Sequence, residues 1–204
     1  LFIMRIAKFI SNAGFCSRRK AEMLIKEQKV FVNNICCDKP NTLVSENDKI
    51  LINGKIIKLQ KTIRLWKMYK PSKTICTNND PQNRKTIFSL IPKTLPRLIS
   101  VGRLDFMSEG LMLFTNNGEL ARKYELPSSN ISRIYRVCIK GNVDRNDIKI
   151  INNGIKIKKI CYKNVNVRIE RKRKSFTWLI FKMTEGKNRE IRNICEHFLW
   201  DIVN

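Results

Sequence analysis

Apolar residues recur at helical spacing from Arg5 to Phe9 and again from Arg18 to Glu27, with Gly14 between the runs and Ser17 at an N-cap position. The pattern predicts helix, turn, helix, with Ser17, Arg18, Arg19 and Lys20 at the start of the second helix. Short β-branched runs follow at Val30 to Val32 and Ile50 to Ile52, and Asn53-Gly54 marks a hairpin turn. Elements of these lengths fit a compact module of about 60 residues.

The polar, poorly patterned stretch Leu59 to Ile63 is where a domain boundary is expected, giving residues 1–60 and 61–204. Beyond it the pattern predicts strands at Leu65 to Tyr69, Leu98 to Val101, Leu111 to Thr115, Ile134 to Ile139, Val165 to Glu170 and Phe176 to Met183. Helices are predicted at Gly118 to Tyr124, Val143 to Asn152 and Asn188 to Phe198, and turns and loop from Pro71 to Asn83. Runs of strands broken by a few helices predict an α+β fold with a mainly antiparallel sheet. No fixed-period repeat or low-complexity linker interrupts it.

Composition narrows the partner. The chain has 204 residues, with 41 Lys plus Arg against 17 Asp plus Glu, a formal net charge of +24. Such a cation concentrates at polyanions by counterion release, so nucleic acid is the leading partner class. The competing explanation is a coding bias toward Lys, Ile and Asn that adds solvated lysines without a site. Apolar runs such as Leu111 to Phe114 fall far short of the roughly 20 residues of a spanning helix, so no membrane is expected. The start, broken by Arg5, Lys8, Ser11 and Asn12, does not read as a secretory signal. Seven scattered cysteines, of which only Cys36 and Cys37 are close, read as free thiols of a reducing cytoplasm and not as a metal site. His197 is the only histidine, which leaves little for histidine-based catalysis.

Three clusters could carry chemistry. The densest runs from Val101 to Gly118, where Arg103 and Asp105 lie two apart in a loop between strands, with glycines at 102, 110 and 118. Spacing alone leaves two readings open, a loop that presents the acid and the cation together or a surface ion pair on a turn. In Ile131 to Val137, alternation puts Arg133, Tyr135 and Val137 on one strand face and Ile134 and Arg136 on the other. Tyr135 there could stack on an unpaired base or simply support the sheet. The third cluster, Thr184 to Arg192, turns through Gly186 into a helix whose start carries Arg189 and Arg192. Cations there oppose the helix dipole, so an anion is expected nearby, either RNA phosphate or a carboxylate such as Asp105.

The run Gly102-Arg103-Leu104-Asp105, followed by Glu109-Gly110-Leu111 and Thr115-Asn116-Asn117-Gly118-Glu119-Leu120, resembles the catalytic motif of the RsuA/RluB family of ribosomal RNA pseudouridine synthases. Tyr135 and Arg192 match two further motifs in order, and Ala13 to Glu22 is similar to the S4-type RNA-binding module that precedes the catalytic domain in that family. Leu65 to Pro71 and Ile99 to Arg103 look closest to the RluB branch, which acts on large-subunit ribosomal RNA; a small-subunit target is the alternative. The resemblance implies an S4-like module over residues 1–60, a synthase domain over 61–204, a monomer and a cofactor-free reaction.

It also implies roles. Asp105 attacks the nucleoside or abstracts a sugar proton; Arg192 pairs with it, and Tyr135 stacks on the uracil. Arg103 fills the place of the flipped nucleotide, and Arg18, Arg19, Lys20, Lys187 and Arg189 contact RNA. Several positions depart from the family pattern: Asn117 replaces Asp, Met112 and Phe114 replace leucines, and Ser72 replaces Arg or Gly. None is expected to touch a catalytic role. Relatives continue past Asn204 into a further Arg-rich strand, which implies a catalytic domain shortened at its C-terminus. A non-catalytic ribosome-associated RNA-binding protein is disfavoured by Asp105, Tyr135 and Arg192 occurring together. A methyltransferase is disfavoured by the lack of a Gly-rich loop after an early strand.

Overall fold

A computed structural model describes residues 3–60, 62–163 and 165–204. The chain forms two compact units, Leu1–Lys123 and Tyr124–Asn204.

The first unit opens with β1 (Met4–Arg5), α1 (Ile6–Asn12), α2 (Arg18–Lys26), β2 (Val30–Val32), β3 (Ile35–Cys36), β4 (Leu43–Val44), β5 (Ile50–Ile52) and β6 (Lys55–Ile57). Both predicted helices are present, and α1 runs on to Asn12. Ser17 caps α2 as expected, its Oγ accepting from the Lys20 amide at 3.2 Å. Ile6, Phe9 and Ile10 of α1 and Ala21, Leu24 and Ile25 of α2 are buried with Val30, Ile50 and Ile52 in one core. That core explains why these apolar positions repeat at helical spacing on one side and alternate on the other. β3, β2, β5 and β6 pair antiparallel in that order, and β1 pairs with β4. Asn53 and Gly54 both take left-handed φ, 48° and 75°, as the two-residue hairpin between β5 and β6 requires. β1, β3 and β4 escaped the sequence pattern because two residues cannot display an alternation, and β6, as short as β2 and β5, follows the predicted Asn53-Gly54 turn.

The same unit continues with β7 (Leu65–Lys70), a single 3-10 turn at Ile87–Leu90, β8 (Ile99–Val101), β9 (Gly110–Thr115) and α3 (Gly118–Glu125), which carries the chain into the second unit. β9 lies between β7 and β8 in an antiparallel sheet. Ile87, Leu98, Met112 and Phe114 form its core, with Trp66 and Met68 packed against them. The stretch predicted as loop from Pro71 to Asn83 is a loop, but an ordered one. Asp80 accepts from Arg84 at Nε (2.9 Å), Nη2 (2.8 Å) and the backbone amide (2.8 Å), a two-pronged ion pair plus a turn bond.

In the second unit, β10 (Arg133–Lys140), β14 (Phe176–Met183) and β13 (Val165–Lys172) pair antiparallel with β14 in the centre, and β11 (Ile155–Ile157) and β12 (Ile160–Tyr162) form a hairpin. α4 (Arg145–Asn152) and α5 (Glu190–His197) contribute Ile151, Ile194 and Cys195 to a core with Val137, Ile139, Val167, Leu179 and Phe181. α4 starts two residues later than predicted because Asp144 caps it, its Oδ1 accepting from the Asn146 amide at 2.8 Å, while Val143 is spent on the core. α5 likewise starts at Glu190, since Arg189 adopts a left-handed cap at φ 52°. The segment 201–204 runs along the free edge of β10, with Ile202 bridging Ile139 and the Lys140 amide donating to the Asp201 carbonyl at 2.8 Å.

The result is the expected α+β class, with every strand ladder among the described residues antiparallel. No helix among the described residues is long and apolar enough to cross a membrane.

The Asp80–Arg84 pair makes an acid-stability prediction. The Arg84 guanidinium holds the Asp80 carboxyl at about 2, against 3.8 for the ordinary group. A depressed carboxyl contributes stability above 3.8 and loses it as pH falls through about 2. Arg84→Ala is expected to lower stability at neutral pH and to converge with the parent chain in that acid window, followed by denaturant titration at stepped pH. A difference independent of pH across the window would refute the pairing.

Candidate active site

Asp105 sits in the connection from β8 to β9, where a chain leaving one antiparallel strand must return along the next. Gly102 at φ 72° and Gly110 at φ 124° bracket the turn, conformations that side-chain-bearing residues rarely adopt. Between them Arg103 is exposed and Asp105 half-buried, and the Ser108 amide closes a turn on the Asp105 carbonyl at 3.1 Å.

The loop's carbonyls are held by one neighbouring segment. Lys70, fully buried at the end of β7, donates from Nζ to the carbonyls of Ser108 (2.5 Å), Pro71 (3.1 Å) and Phe106 (3.4 Å). Ser72 Oγ donates to the Met107 carbonyl at 3.0 Å, and Cys76 Sγ to that of Leu104 at 3.4 Å. Carbonyls on both sides of Asp105 are therefore tied to β7 and the residues just after it. Burial pushes the Lys70 ammonium below its ordinary pKa, while Cys76, Asp105 and Glu109 act in the opposite direction. A buried cation surrounded by carbonyl oxygens and facing acids is a structural clamp that also places positive charge near Asp105.

Neither residue was given a role by sequence reasoning. Lys70 shows a signal after the fact: Trp66, Met68 and Lys70 share the inward register of β7, so the alternation buries a lysine. Ser72, one of the departures from the family pattern, has its hydroxyl bonded to the Met107 carbonyl of the loop that carries Asp105. Asn117 is explained: its Oδ1 accepts from the amides of Glu119 (3.0 Å) and Leu120 (2.8 Å), so it caps α3 as an aspartate would.

In the second unit, Tyr135 is half-buried on β10 against the core, and Arg192 is half-buried on α5. Arg133 donates to the carbonyls of Tyr124 (2.9 Å) and Thr184 (3.1 Å), while Arg136, on the other strand face, pairs with Glu170 at 2.6 Å and lies 4.2 Å over Trp178. Lys187 is paired with Glu185, whereas Arg189 is exposed. Glu190 opens α5 as an acid in its first turn. It is buried, and its Oε2 accepts from the Lys187 amide at 2.8 Å. Burial pushes its carboxyl upward, opposed by Lys187.

Arg18, Arg19 and Lys20 are all exposed on the first turn of α2 in the first unit, which also holds Arg103 and Asp105. Among the described residues no cluster of His, Cys, Asp and Glu could hold a metal ion.

The family RNA pseudouridylate synthase matches residues 33–197, and the S4 domain matches residues 4–50. The chain belongs to the RNA pseudouridylate synthase family, whose members are isomerases, and carries an S4 domain at its N-terminus. A protein of Rickettsia bellii named an uncharacterized RNA pseudouridine synthase is 46% identical over 196 residues, covering 96% of this chain and 85% of that protein. The ribosomal large subunit pseudouridine synthase B of Buchnera aphidicola from Schizaphis graminum is 38% identical over 195 residues, covering 92% and 76%. A solved pseudouridylate synthase superposes with a TM-score of 0.68 over 98% of this chain and 86% of its own, at 21% identity, which bears on the fold.

Lys70→Met keeps the length of the stem and removes the ammonium. The carbonyls of Phe106 and Ser108 then lose a charged donor, a loss of about 1–3 kcal/mol in stability. Thermal unfolding should show that loss, and turnover should fall further than folded population accounts for, because the Asp105 loop is released. Full turnover with unchanged stability would show that the clamp is dispensable.

Proposed function

We propose that this chain isomerises a uridine of large-subunit ribosomal RNA, with Asp105 as the catalytic carboxylate and residues 1–60 as the RNA-binding module ahead of a catalytic domain over 61–204. The carrying observation is the loop at Asp105, an acid presented between two strands on a backbone clamped by Lys70, Ser72 and Cys76. An ordinary surface ion pair on a turn would not need a buried lysine beneath it. The large-subunit target is supported by the name of the Buchnera relative and of others like it.

The chemistry breaks the bond from uracil N1 to ribose C1′ and forms one from C5 to C1′. C5 gives up a proton and N1 gains one, so neither redox cofactor nor external energy is required. Asp105 serves either by attacking the nucleoside or by taking a sugar proton, and both routes begin from the carboxylate. Tyr135 stacks on the uracil and Arg192 compensates the charge of Asp105. The target must leave its helix to be reached, and Arg103, exposed two residues before Asp105, fills its place. Arg18, Arg19, Lys20, Lys187 and Arg189 bind phosphates, Lys187 least openly, since it is already paired with Glu185.

The test is chemical mapping of pseudouridine after incubating the chain with unmodified large- and small-subunit RNA. Product in the large subunit is expected, with none from Asp105→Asn, which keeps the shape and should bind RNA within about threefold of the parent. Turnover by that variant would overturn the assignment of Asp105, and product confined to the small subunit would overturn the target.

Reversing Arg18, Arg19 and Lys20 to glutamate should weaken RNA binding and flatten its salt dependence. The slope of log affinity against log salt should fall by about 1 for each phosphate that these side chains neutralise in the parent. An unchanged slope would show that this helix start does not face RNA.

A further inference from the structure

Asn116, buried directly after β9, spends its whole side chain on the connecting segment between the N-terminal module and β7. Its Oδ1 accepts from the Arg64 amide at 2.9 Å. Its Nδ2 donates to the Thr62 carbonyl at 2.8 Å and to Gln60 Oε1 at 2.6 Å. Beside it, Thr115 Oγ1 donates to the Arg64 carbonyl at 2.7 Å. An amide has one acceptor oxygen and two donor hydrogens, and here each is engaged.

The clasp has a second jaw on the module. The Gln60 amide lies over Gly14, where a Cβ would come within 2.3 Å of its Nε2, and Gly14 itself is at φ 80°. Leu59 packs on the module core. Lys8 of α1 pairs with Glu119 at the start of α3. One end of β9 thus holds the module's connection, while its other end, Gly110, leads out of the Asp105 loop. A six-residue strand, paired with β7 along its whole length and with β8 from Leu113 to Thr115, is a stiff rod of about 20 Å.

We propose that Asn116 is a positioning residue for substrate selection, fixing the reach between the exposed cations Arg18, Arg19 and Lys20 and the loop of Asp105. This rests on the reading of the chain as an RNA-modifying enzyme whose module grips RNA. An RNA that spans both places is selected by that fixed reach, whereas a short RNA that fills only the Asp105 site is indifferent to it. The clasp also explains why an amide is needed. A carboxylate at position 116 keeps the acceptor for Arg64 but turns an oxygen toward the oxygens of Gln60 and Thr62.

The experiment compares the parent chain with Asn116→Asp on full-length large-subunit RNA and on a short hairpin carrying only the mapped target uridine. On the full-length RNA kcat/KM is expected to fall roughly ten- to a hundredfold, because a small misplacement of bound groups is costly. On the hairpin it should stay within about threefold of the parent. In the free protein, trypsin should cut after Arg64 about tenfold faster in the variant, with sites outside residues 60–64 unchanged, as local release requires. Equal losses on both RNAs would reduce Asn116 to general structure, and no loss on either would remove it from selection. If the parent forms no pseudouridine on any RNA, the functional reading fails, and an unchanged cut rate after Arg64 would then overturn the clasp on its own.

Discussion

A buried lysine organises the half of the molecule that carries the candidate nucleophile. Lys70 has no exposed surface and points its ammonium at backbone carbonyls on both sides of the loop turn. Taking a cation out of water is tolerated only where oxygens replace its hydration, and the β8–β9 loop supplies them. The dependence runs both ways. Without Lys70 the carbonyls of Phe106 and Ser108 would lack this donor, and without the loop the lysine could not be buried. Ser72 and Cys76 extend the same set of bonds, so the short segment after β7 acts as a template for the conformation of Asp105's loop.

The charge of +24 says less about the site than its size suggests. Several of the cations in the motifs are consumed internally. Arg133 fills two carbonyls, Arg136 is divided between Glu170 and the Trp178 ring, and Arg84 locks a loop through Asp80. What remains outward, including Arg18, Arg19, Arg103 and Arg189, is a smaller set. Arg18 and Arg19 on α2 and Arg103 in the Asp105 loop stay open to solvent, where a polyanion can reach them.

Much of this architecture was legible from periodicity. The buried faces of α1 and α2, and the strands β7 to β10, β13 and β14, lie within a residue or a few of where alternation and helical spacing put them. The two-residue strands were not legible, because their existence depends on partners distant in sequence, as β1 on β4. Helix starts shifted where a local polar group competed: Asp144 delayed α4 and the left-handed Arg189 delayed α5. The motif singles out Asp105 but not the residues that hold its loop. Lys70 reads as one more surface cation unless its register on β7 is followed, and Glu190 reads as a solvated acid although it is buried.

The adjacent asparagines after β9 show why a substitution cannot be weighed by residue type. Asn117 uses only its oxygen, accepting two amides at the start of α3, so a carboxylate would serve there equally well and gain from the helix dipole. Asn116 uses its oxygen and both amide hydrogens, so the same replacement would set oxygen against oxygen in a buried place. The two positions differ in nothing that composition or hydropathy registers. They differ in the direction of the hydrogen bonds, which is set by a segment more than fifty residues earlier in the chain, at Gln60 and Thr62. The variable position is therefore the one whose partners are local, and the demanding one is the one whose partners the fold brings from afar.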